Sequence, residues 1–172
     1  DREIRDGGHN RVFGPDFQWR PSQTDNVTGE VLFSQNENPN RPDLSPHWDG
    51  ARSNSHAAYA AWNHFERTRD WFVEGFDIGK DFRADLGFMG QVGYDKSVAG
   101  GGYTWFRDGK SVNRIELSGD WDITHRFDGQ LLERELEFRL GFQGPRQSQF
   151  GFAPLTRTRF WRGALFDEYN LN

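Results

Sequence analysis

The longest regular pattern in the chain runs from Ser111 to Gln143, where apolar and charged residues alternate on both sides of Asp128-Gly129. In the first arm Ile115, Leu117, Trp121 and Ile123 fall on one face, and Arg114, Glu116, Ser118, Asp120 and Asp122 on the other. In the second arm Leu136, Phe138, Leu140 and Phe142 oppose Glu133, Glu135, Glu137 and Arg139. A period of two is that of a β-strand, whose successive side chains point to opposite faces. Asp-Gly between two such arms predicts a hairpin closed by a type I′ turn, because both central residues accept positive φ. Strands of soluble proteins usually run to ~5–6 residues, whereas a membrane-crossing strand needs ~9–11. These arms have the second length.

The same rhythm predicts strands over 11–20, 27–36, 52–66, 70–78, 86–94, 99–107, 111–126, 130–143 and 149–161. Strand 27–36 sets Val27, Gly29, Val31 and Phe33 against Thr28, Glu30, Leu32 and Ser34. Strand 86–94 puts Leu86, Phe88, Val92 and Tyr94 on one face. Ser55–Phe65 has two readings. Ala58, Ala61, Trp62 and Phe65 would share a helix face, but Tyr59, Ala61 and Phe65 also alternate, and the neighbours are strands. Gly100-Gly101-Gly102 lacks the Gly-Lys-Ser/Thr ending of a phosphate loop and reads as a bend or bulge.

The connections divide into two groups. Pro21–Asn26, Arg67–Arg69, Asp95–Val98 and Asp128-Gly129 fall at one end of the strands, and Glu37–Ala51, Gly79–Asp85, Asp108–Lys110 and Gly144–Gln149 at the other. The second group holds the long ones, as outer-membrane barrels have short turns at one end and longer loops at the other. The expected fold is therefore all-β, an antiparallel up-and-down β-barrel of outer-membrane type. About nine strands is an odd number, which cannot close antiparallel in sequence, so the barrel reads as partial. Asp1–Asn10 is neither a signal peptide nor an initiator region, and Tyr169–Asn172 is not the usual aromatic ending of a barrel. The expectation is one segment, 1–172, with no internal boundary. Further strands from the same polypeptide or another chain would complete it.

Composition narrows the classes. The absence of Cys removes a disulfide framework, a Cys-ligated zinc site and a thiol nucleophile. A net charge of −5 offers no basic field for nucleic acid. The 20 Gly, 16 Phe and 7 Trp are typical of barrels with aromatic girdles. Mean hydropathy is −0.89, which pulls toward a soluble antiparallel barrel or sandwich.

Three stretches carry a resemblance: Gly14-Pro15-Asp16-Phe17-Gln18-Trp19-Arg20-Pro21-Ser22, Asp77-Ile78-Gly79-Lys80-Asp81-Phe82-Arg83-Ala84-Asp85-Leu86-Gly87-Phe88, and Gln91-Val92-Gly93-Tyr94. They resemble the barrel portion of a bacterial family of unknown function. Its members join a module similar to family 9 carbohydrate-binding domains to a large outer-membrane-type β-barrel. The likeness extends over most of 11–143. It implies a location in the bacterial outer membrane and a link to carbohydrate, but the binding module lies outside this chain. The family has no established catalytic residues, so the resemblance implies none here.

Candidate chemistry lies on the polar faces of the two long arms. Arg114, Glu116, Asp120, Asp122, Glu133, Glu135, Glu137 and Arg139 are the candidate lumen-lining residues. Charged rings in pores select ions and bind polar solutes. The same residues also fit a solvated face with Arg114, Arg134 and Arg139 as cross-strand partners. Glu37, Asn38, Asn40, Asp43, His47 and Asp49 supply hard oxygen ligands without EF-hand spacing, so no metal or cofactor is expected. His56 and His64 would share a strand face ~26 Å apart, too far for one ion.

The functional expectation is a non-catalytic, porin-like segment of an outer-membrane barrel, acting as a pore or as a membrane anchor for surface carbohydrate handling. Its partners would be membrane lipid, further strands and carbohydrate. The alternative is a soluble antiparallel barrel or sandwich binding a glycan or a small apolar ligand.

Overall fold

Hydrogen-bonded pairing between neighbouring strands organises the chain. The computed structural model describes residues 2–3, 7–87, 89–108 and 111–171. Among them β1 (Arg2–Glu3), β2 (His9–Phe13), β3 (Asp16–Trp19), β4 (Asp25–Glu37), β5 (Arg52–Phe65) and β6 (Arg69–Ile78) precede the 79–93 connection. After it come β7 (Tyr94–Phe106), β8 (Arg114–Arg126), β9 (Leu131–Gln143), β10 (Gln149–Phe152), β11 (Pro154–Trp161) and β12 (Ala164–Leu171). All belong to one antiparallel sheet in the order β1-β2-β4-β5-β6-β7-β8-β9-β11-β12. Strand β3 continues β2 along the same flank of β4, and β10 and β11 share the flank of β9. The sheet is open: its outer strands do not pair with one another among the described residues.

Ser55–Phe65 is strand, held in full register between β4 and β6. The hairpin of β8 and β9 forms as the alternation requires, with Trp121 opposite Leu136 and Ile115 opposite Phe142. Its turn differs from expectation. Gly129 has φ of 83°, whereas Asp128 is not among the positive-φ residues. The Gly129 N–H donates to Arg126 O at 2.7 Å and the Arg126 N–H to Gln130 O at 2.8 Å. This is a three-residue loop, a type I turn completed by a left-handed glycine, and it brings a register shift at Thr124/His125. Among the described residues, consecutive positive φ values occur instead at Arg162-Gly163, with 49° and 89°, and at Arg146-Gln147, with 56° and 63°.

Residues 86–94 are not a strand. Only Tyr94 is extended, as the first residue of β7, and Phe88 lies outside the described residues. Gly87 donates to Ala84 O in a turn, and Gly93 takes a φ of 77°, so the glycines spaced through the segment bend it. The expected strand 11–20 breaks at Gly14-Pro15, where the Val31 N–H donates to Pro15 O at 3.0 Å. Strand 149–161 breaks at Ala153. Strand β12 was not expected. Gly100-Gly101-Gly102 is neither bent out nor bulged, because β7 keeps one register with both neighbours. A Cβ on Gly100 would sit 2.8 Å from the Phe72 ring and 2.7 Å from Asp120 Cβ. The glycine makes room for a ring on the adjacent strand.

The spurious strand also misplaced the turns. The 38–51 and 79–93 loops share an end with the turns at 127–130 and 162–163. Connections 20–24, 66–68, 107–113 and 144–148 lie at the opposite end. Asp95–Val98 is inside β7. Gly109 and Lys110 of the expected turn lie outside the described residues. Both long loops therefore emerge at one end, called here the loop end, and only short connections at the turn end.

Parity carried through the register gives the sheet two unlike faces. One bears Val27, Phe33, Trp62, Trp71, Val73, Trp105, Leu117, Trp121, Leu136 and Phe138. Most of the exposed large hydrophobic residues lie on it. The other face carries most of the charged residues and the well-buried ones, Asn10, Ser34, Asn36, Ala57, Ala61, Ile78, Thr104 and Asp122. The small core lies there too, where Phe82 from the 79–93 loop packs on Ala57 and Ile78.

The apolar band crosses the strands obliquely. One row of register partners joins Val27, Trp62, Val73, Ala99, Trp121 and Leu136. In β4 Val27 is the turn-end margin of the band, which continues to Phe33. In β9 Leu136 is its loop-end margin, and the band continues to Phe142. The band thus shifts by about six residues from β4 to β9. At ~3.3 Å per residue and ~4.8 Å per strand, it is inclined by about 40° to the hydrogen-bonding direction.

Candidate functional site

The polar face is built from the even residues of β8 and the odd residues of β9. Arg114, Glu116, Asp120 and Asp122 share it with Glu133, Glu135, Glu137 and Arg139. The ladder sets Asp120 opposite Glu137 and Asp122 opposite Glu135. Like charges directly opposed across two strands repel, so cations must come from the flanks.

They come from β11 and β7. Arg157 is in register with Glu135 and bonds to it, with Glu133 Oε1 at 3.3 Å and Glu168 Oε2 at 3.9 Å. Arg159 Nε lies 3.3 Å from Glu133 Oε2. Lys96 Nζ lies 3.5 Å from Asp122 Oδ2. Arg139 and Arg114 pair along their own strands, with Glu137 and Glu116 at 2.8 and 2.7 Å. Arg134 takes no part, because its even number on β9 puts it on the apolar face.

Asp120, Asp122, Glu133, Glu135 and Glu137 therefore form one cluster, while Arg114, Glu116 and Arg139 extend it toward the turn end. The reading of the sequence missed Lys96, Arg157, Arg159 and Glu168. Alternation in Thr156-Arg157-Thr158-Arg159 was the available signal for two of them. Lys96 fell within a segment read as a turn. Asp122 is nearly buried, and its Oδ1 has no hydrogen-bond partner. A buried carboxylate oxygen without a donor is costly and can receive a cation or a hydroxyl. Carboxylates outnumber cations in the cluster, so the wall attracts positive solutes and offers acceptors to hydroxyl groups.

The 38–51 loop uses its oxygens internally. Asp43 accepts from Arg41 at 2.8 Å, and Asp49 accepts from the Ala51 N–H at 2.9 Å and from Asn38 at 3.3 Å. These donors hold both carboxyls below the usual range. Among the described residues no three His, Asp or Glu side chains converge on a metal position. His56 and His64 share the apolar face and pair separately, with Asp77 at 3.1 Å and Asp25 at 2.9 Å.

Comparison with protein-family models, curated proteins and solved structures finds no match for this chain. The fold and face chemistry define its class: an open antiparallel sheet with one apolar and one charged face.

Proposed function

We propose that this sheet is a wall segment of an outer-membrane-type β-barrel, with its apolar face to lipid and its charged face to an aqueous lumen. The observation that carries the reading is the oblique apolar band. Strands of such barrels tilt by ~35–45° to the membrane normal, and their lipid-facing band is ~25 Å tall. A band level with the membrane then crosses tilted strands at the inclination of about 40° that strand geometry gives here. Ile115 to Ile123, tilted so, rise about 20 Å. Trp19, Trp62, Trp71 and Trp105 follow the turn-end margin of this band, where amphipathic rings favour a membrane interface.

The open flanks of β12, of β3, of β1 and of the part of β2 beyond its pairing with β1 need partners, because unpaired backbone groups cannot be satisfied by lipid. Further strands, from the same polypeptide or another chain, fit that requirement. The lumen wall suits a porin-like path for cations or hydroxyl-rich solutes, or the inner surface of a membrane anchor, in the bacterial outer membrane. The carbohydrate role rests on the resemblance of 14–22, 77–88 and 91–94 alone. In a soluble sandwich, a second layer would have to cover the whole apolar face.

Single-tryptophan variants in vesicles of brominated lipid test the reading. Trp105 and Trp121 on the apolar face should be strongly quenched. Trp161, on the charged face, and Trp48, in the 38–51 loop, should not. Equal quenching at all four positions overturns the proposal.

A further inference from the structure

Segment 79–93 emerges at the loop end, and its inner part folds back over the charged face. Its neck is closed on both sides: the Gly79 N–H donates to His56 O and the Gly93 N–H to Ile78 O, each at 2.9 Å. Beyond the neck, Phe82 is only 5% exposed and sits on Ala57 and Ile78. Val12, Leu32 and Tyr94, all on the same face, pack against it.

Two small polar residues of that face, Asn10 and Ser34, hold the backbone of the segment, and a third, Asn36, holds Asn10. Asn10 donates to Arg83 O at 2.9 Å and accepts from the Asp85 N–H at 2.9 Å. Ser34 Oγ accepts from the Arg83 N–H at 3.4 Å, and Asn36 accepts from Asn10. Asn10, Ser34 and Asn36 are 3, 1 and 4% exposed, the most deeply covered polar residues on an otherwise hydrated face. Buried amides and hydroxyls are tolerated only when hydrogen-bonded, so these side chains are matched to the segment that covers them. The Arg83 guanidinium binds Asp85 and Asn38, fixing the outer rim as well.

We infer that segment 79–93, through its described residues 79–87 and 89–93, is a fixed inward shelf that narrows the aqueous path along the charged face. The inference rests on the pore reading above and adds where the path is narrowest. A mobile lid would rest on exposed, exchangeable contacts. This segment has a buried aromatic anchor and a satisfied set of buried polar contacts, which makes it a permanent feature. Its Phe82 and Met89 line a cavity on the charged face together with Glu30, Tyr59 and Phe76. Pore diameter and lining polarity set which solutes pass, so the shelf determines the size limit and the acidic wall the charge preference.

The test is conductance and solute-size exclusion in planar bilayers, with the protein purified as it assembles in the membrane. Replacing 81–91 with a short Gly-Ser turn should raise single-channel conductance about twofold or more and admit larger neutral polymers. The chain has no Cys, so Met89→Cys gives a second arm that leaves the shelf in place. Modifying that thiol with a bulky methanethiosulfonate reagent should block at least about half the current. Conducting wild-type channels with both arms unchanged overturn the shelf and leave the pore reading intact. Wild-type protein that inserts but never conducts overturns both.

Discussion

The imidazole of His64 lies parallel to the indole of Trp71, with ring centroids 5.4 Å apart and 7° between the planes. The stack sits at the turn-end margin of the apolar band. Asp25 Oδ1 binds both His64 Nδ1, at 2.9 Å, and the Trp62 Nε1–H, at 3.0 Å. Glu66 lies 3.2 Å from His64 Nε2. Apolar ring surface above and hydrogen-bonded polar groups below is the arrangement an aromatic belt requires. If that margin lies at a membrane interface, Trp71→Ala should destabilise the protein in lipid by about 1 kcal/mol or more. Leu44→Ala, at an exposed position of the 38–51 loop, should stay within ~0.5 kcal/mol. Urea unfolding from vesicles measures both, and equal losses would contradict an interfacial role for Trp71.

Phe138 lies on the apolar face of β9, opposite Gly119, and is half exposed. If that face meets lipid, Phe138→Arg places a charge in hydrocarbon at a cost of ~2–4 kcal/mol near the midplane. Thr124→Arg on the charged face, in register with Glu133, should be accommodated. Membrane assembly of the two variants, read by protease resistance and vesicle association, should separate them clearly. Similar behaviour would point to water on both faces.

Arg157 serves three carboxylates, Glu133, Glu135 and Glu168. Arg157→Ala should cost ~1.5–3 kcal/mol, the scale of a charge-assisted hydrogen bond, and, if the charged face lines a pore, increase its preference for cations. Glu135→Gln in the same chain should recover part of the stability. A double-mutant cycle with reversal-potential measurements reads both effects, and additive losses without recovery would show that the pair is not coupled.

Asp128 accepts from the Arg126 guanidinium and from the Gln130 N–H, so its carboxyl is held below the ordinary carboxylate range. A depressed folded value adds stability that is present above the unfolded value near ~3.9 and is lost as pH falls through the folded value. The 127–130 turn should therefore be unchanged from neutral pH down to about 4 and loosen only below it. Carbon-detected titration of Asp128, with the Gln130 amide shift as reporter, checks the sign. An Asp128 carboxyl titrating above ~3.9 would contradict it, and Asp128→Asn should abolish the acid response of Gln130.

The face of each residue within a strand was legible in the sequence. Glu133, Glu135 and Glu137 share a face with Asp120 and Asp122 because a period of two fixes parity within each arm, and the hairpin fixes it between them. The same rule assigns Phe138 and Trp121 to the other face. What parity cannot supply is whether a segment joins the sheet at all. Leu86, Val92 and Tyr94 alternate like a strand, yet Gly87, Gly90 and Gly93 let the chain turn, and Phe82 finds its burial on Ala57 and Ile78 instead. One false strand reverses the end assigned to every later turn, which is why the loop pattern was misread.

Strand β12 was hidden for the opposite reason. Leu165, Phe166, Tyr169 and Leu171 are apolar on both parities, so no alternation announces it. It forms because Arg162-Gly163 turns the chain tightly and the open flank of β11 supplies hydrogen-bond partners. Arg157 reaches Glu135 only because β11 docks on β9 in that register. Local chemistry set strand, face and charge. Long-range pairing alone decided which charges meet, which segment lies over the charged face, and how the apolar band is inclined, because each depends on backbone hydrogen bonds between residues far apart in the chain.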